Sequence, residues 1–308
     1  MRMLKPKFWS EINLLSLVCW PFSCVTLLIY FIKKIISDGK NFEIPVICIG
    51  NIYVGGTGKT PLSIHIFNFL KNKKLKPALI RKYYKSHSDE INLTKSKVKQ
   101  FFVNKKRISS LLEAKQIGSK VVVMDDGLQD LSIQKRLNIV CFNSVDLIGN
   151  GFLLPAGPLR EPFMSLKEKE IVVINGEKNN NFEKKIKRIS KNIKIFYSKY
   201  ILKKKSKFIG KNLLAFAGIG NPESFFKILK QNKLKVKNEI SFPDHYEYKK
   251  YEIKNLIDMA KKNNLNLITT EKDIFRIRKL GFKGIDYISI EIKILKQKHF
   301  ENEILKYL

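Results

Sequence analysis

The sequence predicts an α/β protein with three parts: an apolar helix, a larger domain built on a parallel sheet, and a smaller α/β domain. Three observations carry that expectation. Residues 12–32 contain no charged side chain. Between residues 45 and 175, short apolar runs rich in Val and Ile alternate with stretches of helical spacing. Such runs suit parallel strands covered on both faces. After residue 210 a second, shorter set of the same alternation appears.

Taken in order, the first segment reads Ile-Asn-Leu-Leu-Ser-Leu-Val-Cys-Trp-Pro-Phe-Ser-Cys-Val-Thr-Leu-Leu-Ile-Tyr-Phe-Ile, with Lys5 and Lys7 before it and Lys33 and Lys34 after. As a helix it would just cross a hydrocarbon core of ~30 Å. Basic residues at both ends give no clear orientation, and no small-residue cleavage site follows. The reading preferred is a membrane-associated helix embedded in, or ending just inside, the cytoplasmic leaflet, with Pro21 kinking it. Burial against the protein's own core is the other reading.

Pro45-Val46-Ile47-Cys48-Ile49 reads as a buried strand, and from Leu62 the apolar residues recur at helical spacing. Between them lies Gly50-Asn51-Ile52-Tyr53-Val54-Gly55-Gly56-Thr57-Gly58-Lys59-Thr60-Pro61. A glycine-rich turn from strand to helix ending Gly-Lys-Thr is the layout of a phosphate-binding loop. Gly55, Gly56, Thr57 and Gly58 would let backbone N–H groups converge on a phosphate at the helix N-terminus, and Lys59 would reach the terminal phosphates. The Thr60 hydroxyl would ligate Mg²⁺. One departure is plain: the first glycine of the general pattern falls on Tyr53. The first domain is therefore expected to be P-loop NTPase-like.

Further strands are expected at residues 76–80, 120–124, 138–142 and 171–174. The strand at 120–124 runs into Asp125-Asp126-Gly127. Acids at the C-terminal edge of a parallel sheet, downstream of a phosphate loop, suit a Mg²⁺–nucleotide site. Residues 149–162 form a loop rich in Gly and Pro that presents Arg160 and Glu161. Arginine matches phosphate oxygens, although a loop tying helix to sheet would look the same. Asn179-Asn180-Asn181 marks a soft boundary, giving parts at 1–35, 36–180 and 181–308. In the last part, strands are expected at 213–217 and 265–269.

Composition narrows the partners. A formal charge of +32 suits nucleic acid, anionic lipid or phosphorylated substrates. No aromatic-interleaved RNA-binding signature accompanies it, and a nucleic-acid ATPase would leave the apolar helix unexplained. The four cysteines show no paired spacing and read as buried thiols.

Taken together, the motifs at 50–61, 125–129, 153–162, 216–222 and 242–245 resemble those of the tetraacyldisaccharide 4′-kinase family of lipid A biosynthesis, in the family's order. The missing glycine at Tyr53 is shared with that family. The resemblance implies a kinase at the cytoplasmic face of the inner membrane. It would transfer the γ-phosphate of ATP, with Mg²⁺, to the 4′-hydroxyl of a lipid A disaccharide precursor. By the same carry-over Lys59 would act catalytically on the β- and γ-phosphates, and Arg160 would assist in binding them. Thr60, Asp125 and Asp126 would complete the metal environment. Asp89 would be the base, in a partly kept Ser88-Asp89-Glu90-Ile91, and His245 of Asp244-His245 would support it. Ile80-Arg81-Lys82-Tyr83-Tyr84 has lost two of the family's glycines, and Asp130 stands where the family has histidine. Partners expected are the lipid precursor and an anionic membrane surface, with neither nucleic acid nor an obligate protein partner. The competing expectation is a membrane-attached regulatory P-loop NTPase that phosphorylates nothing. Lipid-dependent ATP turnover separates the two.

Overall fold

The computed structural model describes residues 6–203, 205–243 and 246–308. Its contacts divide the chain into two compact units. Residues 1–85, 97–199 and 292–308 make the first, and residues 86–96 and 200–291 make the second.

The first unit begins with α1 (Leu14–Ile36), whose N-terminus is closed by a reciprocal pair of hydrogen bonds between Asn13 and Ser16. The helix runs on through Pro21. Its amphipathicity is inverted: its buried residues are Ser16 and Ser23, while Leu14, Leu17, Val18, Phe22, Val25, Ile32 and Ile35 are exposed. A helix packed into a protein core would do the opposite, so the core reading of this segment is corrected. By length and composition α1 could cross a membrane.

Strands follow at β1 (Val46–Gly50), β2 (Pro77–Lys82), β3 (Phe101–Asn104), β4 (Val121–Asp125), β5 (Leu137–Asn143), β6 (Ile171–Asn175) and β7 (Lys194–Leu202). Helices α2 (Lys59–Asn72), α4 (Arg107–Gln116) and α5 (Asn180–Ile189) alternate with them, while α3 (Ser88–Lys97), between β2 and β3 in the chain, belongs with the second unit in all but its last residue. Among the described residues the sheet order is β12-β7-β6-β5-β1-β4-β2-β3, with β12 at Ile290–Ile294. The pairings from β3 across to β7 are parallel. In β1, Val46 and Cys48 enter one apolar cluster, and Ile47 and Ile49 enter the other. This is the two-residue alternation of a strand covered on both faces. Leu62, Ile66 and Leu70 of α2 seal one side, together with Phe300 and Ile304 of the C-terminal helix (Gln297–Leu305). Leu111 and Ala114 of α4 and Phe182 and Ile186 of α5 seal the other.

The second unit is a smaller parallel sheet in the order β11-β10-β8-β9. Its strands are β8 (Asn212–Ala217), β9 (Lys235–Ser241), β10 (Asn266–Thr270) and β11 (Asp286–Ile288). Phe225, Phe226 and Leu229 of α6 (Pro222–Gln231) cover one face. Ile253 and Leu256 of α7 (Lys250–Lys262), with Ile274 and Ile277 of α8 (Glu271–Lys279), cover the other.

The expected parts at 36–180 and 181–308 need correcting. The polar run at 179–181 is no boundary: the Asn179 side chain accepts from Phe182 N–H and caps α5. The chain instead leaves the first unit after residue 199 and returns to it at 292. Residues 86–96, which carry Asp89, belong with the second unit.

Candidate active site

In the first unit the site is built where β1 and β4 end side by side. Gly58 caps α2 at φ +90°, a left-handed conformation that a side chain would strain. Gly55 likewise has positive φ. Among the described residues no side chain caps α2, which leaves the N–H groups of its first turn without a capping acceptor. Thr57 is buried, and its hydroxyl has no hydrogen-bond partner among the described residues. Where the general pattern has its first glycine, Tyr53 is buried and its backbone bridges to Leu159. Val54 N–H donates to Pro158 O at 2.9 Å, and Arg160 N–H donates to Ile52 O at 2.7 Å. The proline-rich loop is thus hydrogen-bonded to the glycine-rich loop on either side of Tyr53.

Asp125 is 1% exposed and fully engaged. Its Oδ2 accepts from the Thr60 hydroxyl at 3.0 Å and from Arg81 Nη1 at 3.1 Å, and its Oδ1 accepts from the Ser63 hydroxyl at 3.0 Å. Arg81 Nη1 also donates to the Thr60 hydroxyl at 3.2 Å. Asp126 turns the chain at φ +54°, in the left-handed region that aspartate tolerates better than most residues. Two cations converge on it: Lys59 Nζ lies 3.7 Å and Arg160 Nη1 3.4 Å from Oδ1. Burial alone would raise the Asp126 pKa, but the charges of Lys59, Arg160, Arg81 and Arg107 hold it below the ordinary carboxylate value. Asp126 O accepts from Arg107 Nη2, and Arg107 Nη1 donates to Asp130 at 3.0 Å. Gln129 Nε2 donates to Asn51 O at 3.0 Å and to Glu161 Oε1 at 2.7 Å.

The structure thus brings Lys59, Thr60, Asp125, Asp126 and Arg160 together in one site. Asp89 lies in the second unit, 7% exposed, and its Oδ2 accepts from Arg276 Nε at 2.7 Å. Asp244 and His245 lie outside the described residues. Sequence reasoning gave no role to Ser63, Arg81, Arg107 or Arg276. A signal for Arg81 existed: it is a charge at the end of a buried strand, in register with Asp125.

A parallel α/β sheet with Gly-Lys-Thr at the head of a helix and paired acids on the neighbouring strand defines a P-loop phosphotransferase. A model of the tetraacyldisaccharide-1-P 4′-kinase family, LpxK, matches residues 14–308. The chain belongs to the tetraacyldisaccharide-1-P 4′-kinase family, and with it to the kinases of lipid A biosynthesis. The tetraacyldisaccharide 4′-kinase of Pelagibacter ubique is 42% identical, over 99% of this chain and 98% of its own. That of Rickettsia bellii is 32% identical, over 90% of each. Among solved structures, LpxK from Aquifex aeolicus in complex with ATP shares the fold. Its TM-score is 0.73 at 22% identity, covering 96% of this chain and 99% of that one.

Proposed function

We propose that this chain binds ATP at the Gly55–Thr60 loop and transfers its γ-phosphoryl group to the 4′-hydroxyl of a tetraacyldisaccharide 1-phosphate, giving lipid IVA. The reaction would take place at the cytoplasmic face of the inner membrane. The observation that carries this reading is the convergence of Lys59 and Arg160 on Asp126 beside the Thr60–Asp125 pair. A phosphate chain bound at the head of α2 would need its charge balanced, and these two cations would supply that.

Thr60, Asp125 and Asp126 offer only hard oxygen donors, which suits Mg²⁺. Among the described residues no cluster of three or more His, Cys, Asp or Glu forms a cage. Mg²⁺ is commonly held by one or two carboxylates together with substrate phosphates and water. When bound, it would neutralise charge on the phosphates. Lys59 and Arg160 then hold the β- and γ-phosphates in line, while the backbone N–H groups at the head of α2 fix the chain. Asp89 takes the proton from the 4′-hydroxyl, whose oxygen bonds to the γ-phosphorus as the bond to ADP breaks. His245 supports Asp89, a role carried over from the family's Asp-His element. The exposed apolar face of α1 seats the enzyme at the bilayer that holds its substrate, and the net charge of +32 favours an anionic surface.

The test is Lys59→Ala. The side chain stabilises phosphate charge and packs no core, so the variant should still fold and lose at least about 10²-fold in kcat. A folded variant with near-normal turnover contradicts the assignment.

A further inference from the structure

The motif at residues 216–222 has no chemical role so far, nor has the turn into α8, Thr270-Glu271-Lys272-Asp273. They meet at one side chain. Arg276, 8% exposed, directs Nη1 at Asp273 Oδ1 (3.0 Å), Gly218 O (2.9 Å) and Tyr246 O (3.4 Å), and Nε at Asp89 Oδ2 (2.7 Å). Asp273 is fully buried, and its Oδ2 accepts from the Thr270 hydroxyl at 2.6 Å and from Gly218 N–H at 3.1 Å. Gly218 therefore serves the pair with both its N–H and its C=O. A Cβ at Gly218 would lie 2.8 Å from the Tyr248 hydroxyl and 3.2 Å from Asp273 Oδ1, so only glycine fits.

On α8, Lys272 and Arg276 stand four residues apart, on one face. Lys272 Nζ meets Glu90 Oε1 at 2.7 Å, while Arg276 meets Asp89. The two adjacent acids in the first turn of α3 are thus gripped by two adjacent cations of α8. The Glu90–Lys272 pair is partly exposed and the Asp89–Arg276 pair is buried. Buried ionic networks are poor stabilisers compared with well-packed apolar residues. A junction needed only for stability had no reason to place a guanidinium here. What the network supplies is direction: a rigid planar donor, itself fixed by a buried carboxylate and two carbonyls, sets where the Asp89 carboxyl group points.

We propose that Arg276 is a positioning residue for Asp89, held in place by Asp273, Gly218 and Tyr246. This rests on Asp89 acting as the base in the function proposed above. Arg276 touches no reacting atom in this account; it acts through the carboxylate.

The test is steady-state kinetics with ATP and the lipid disaccharide on full-length Arg276→Gln, Asp89→Asn and the double variant, with thermal melting of each. Arg276→Gln should lower kcat by about 10²-fold, the scale of a misplaced catalytic group, and leave the KM for ATP within about twofold. In the Asp89→Asn background, Arg276→Gln should cost almost nothing further, because its effect passes through that carboxylate. A merely structural arginine would not give this loss of additivity. Should Arg276→Gln fail to melt cooperatively, Arg276→Lys, which keeps the charge and one donor, takes its place in the cycle. Fully multiplicative losses, or a folded Arg276 variant with wild-type kcat beside an inactive Asp89→Asn, overturn the inference alone. An active Asp89→Asn variant overturns the base assignment itself, and the inference with it.

Discussion

Replacing Arg81 with Met removes the guanidinium from a carboxylate that is only 1% exposed, while both partners stand at the ends of neighbouring buried strands. Breaking a buried pair by removing one partner typically costs about 3–5 kcal/mol, because the remaining charge stays buried. Here Asp125 keeps its hydrogen bonds from Thr60 and Ser63. The loss therefore falls at the low end, about 3 kcal/mol. For a unit of this size that corresponds to roughly 6–12 °C in melting temperature. Scanning calorimetry reads it directly. Adding Asp125→Asn to Arg81→Met should recover part of the loss, since a neutral amide no longer needs the cation. If Arg81→Met melts within about 2 °C of wild type, a shift well below that expected for a broken buried pair, the ion pair is not the strand-end clamp described above.

Two further outcomes follow from the same structure. The intact protein should stay with the membrane fraction at about 1 M salt, where screening shortens to about 3 Å and lysine–lipid attraction fades while the α1 face stays inserted; complete release by salt would mean that α1 does not insert. Burial alone would raise the Asp130 pKa, but hydrogen bonds from Ser132 and the Arg107 guanidinium hold it below the ordinary value. Its contribution to stability is thus present above the unfolded value and lost as pH falls through the lower folded one. Urea unfolding of wild type against Asp130→Asn should show an advantage that is constant near neutral pH and shrinks progressively in acid below about pH 4; an advantage unchanged at low pH, or absent at neutral pH, contradicts the assignment.

Much of the first unit was legible because its signals are local. Runs such as Val121-Val122-Val123-Met124 become strands with no long-range information, and Gly58-Lys59-Thr60 declares a helix start by composition alone. The second unit's β9, Lys235–Ser241, was not readable: it is lysine-bearing and half exposed, so no apolar run marks it. The boundary at 179–181 misled because asparagine both punctuates loops and caps helices, and only the Asn179–Phe182 hydrogen bond distinguishes the two. At the site, Lys59, Thr60 and the paired acids were legible from spacing. The Asp89–Arg276 pair was not, since its members lie 187 positions apart and no periodicity links them. α1 stood between two readings until its inward face proved to be Ser16 and Ser23, a detail that apolar composition hides.

As a lipid A 4′-kinase, this enzyme should couple ATP consumption to phosphorylation of a lipid hydroxyl. The most direct measurement incubates the full-length enzyme with ATP, Mg²⁺ and tetraacyldisaccharide 1-phosphate in mixed micelles, following ADP release and the mass of the lipid together. ADP release should depend on the lipid and be matched mole for mole by a product heavier by one phosphate. ADP release without lipid at the same rate, or a lipid of unchanged mass, would contradict that coupling.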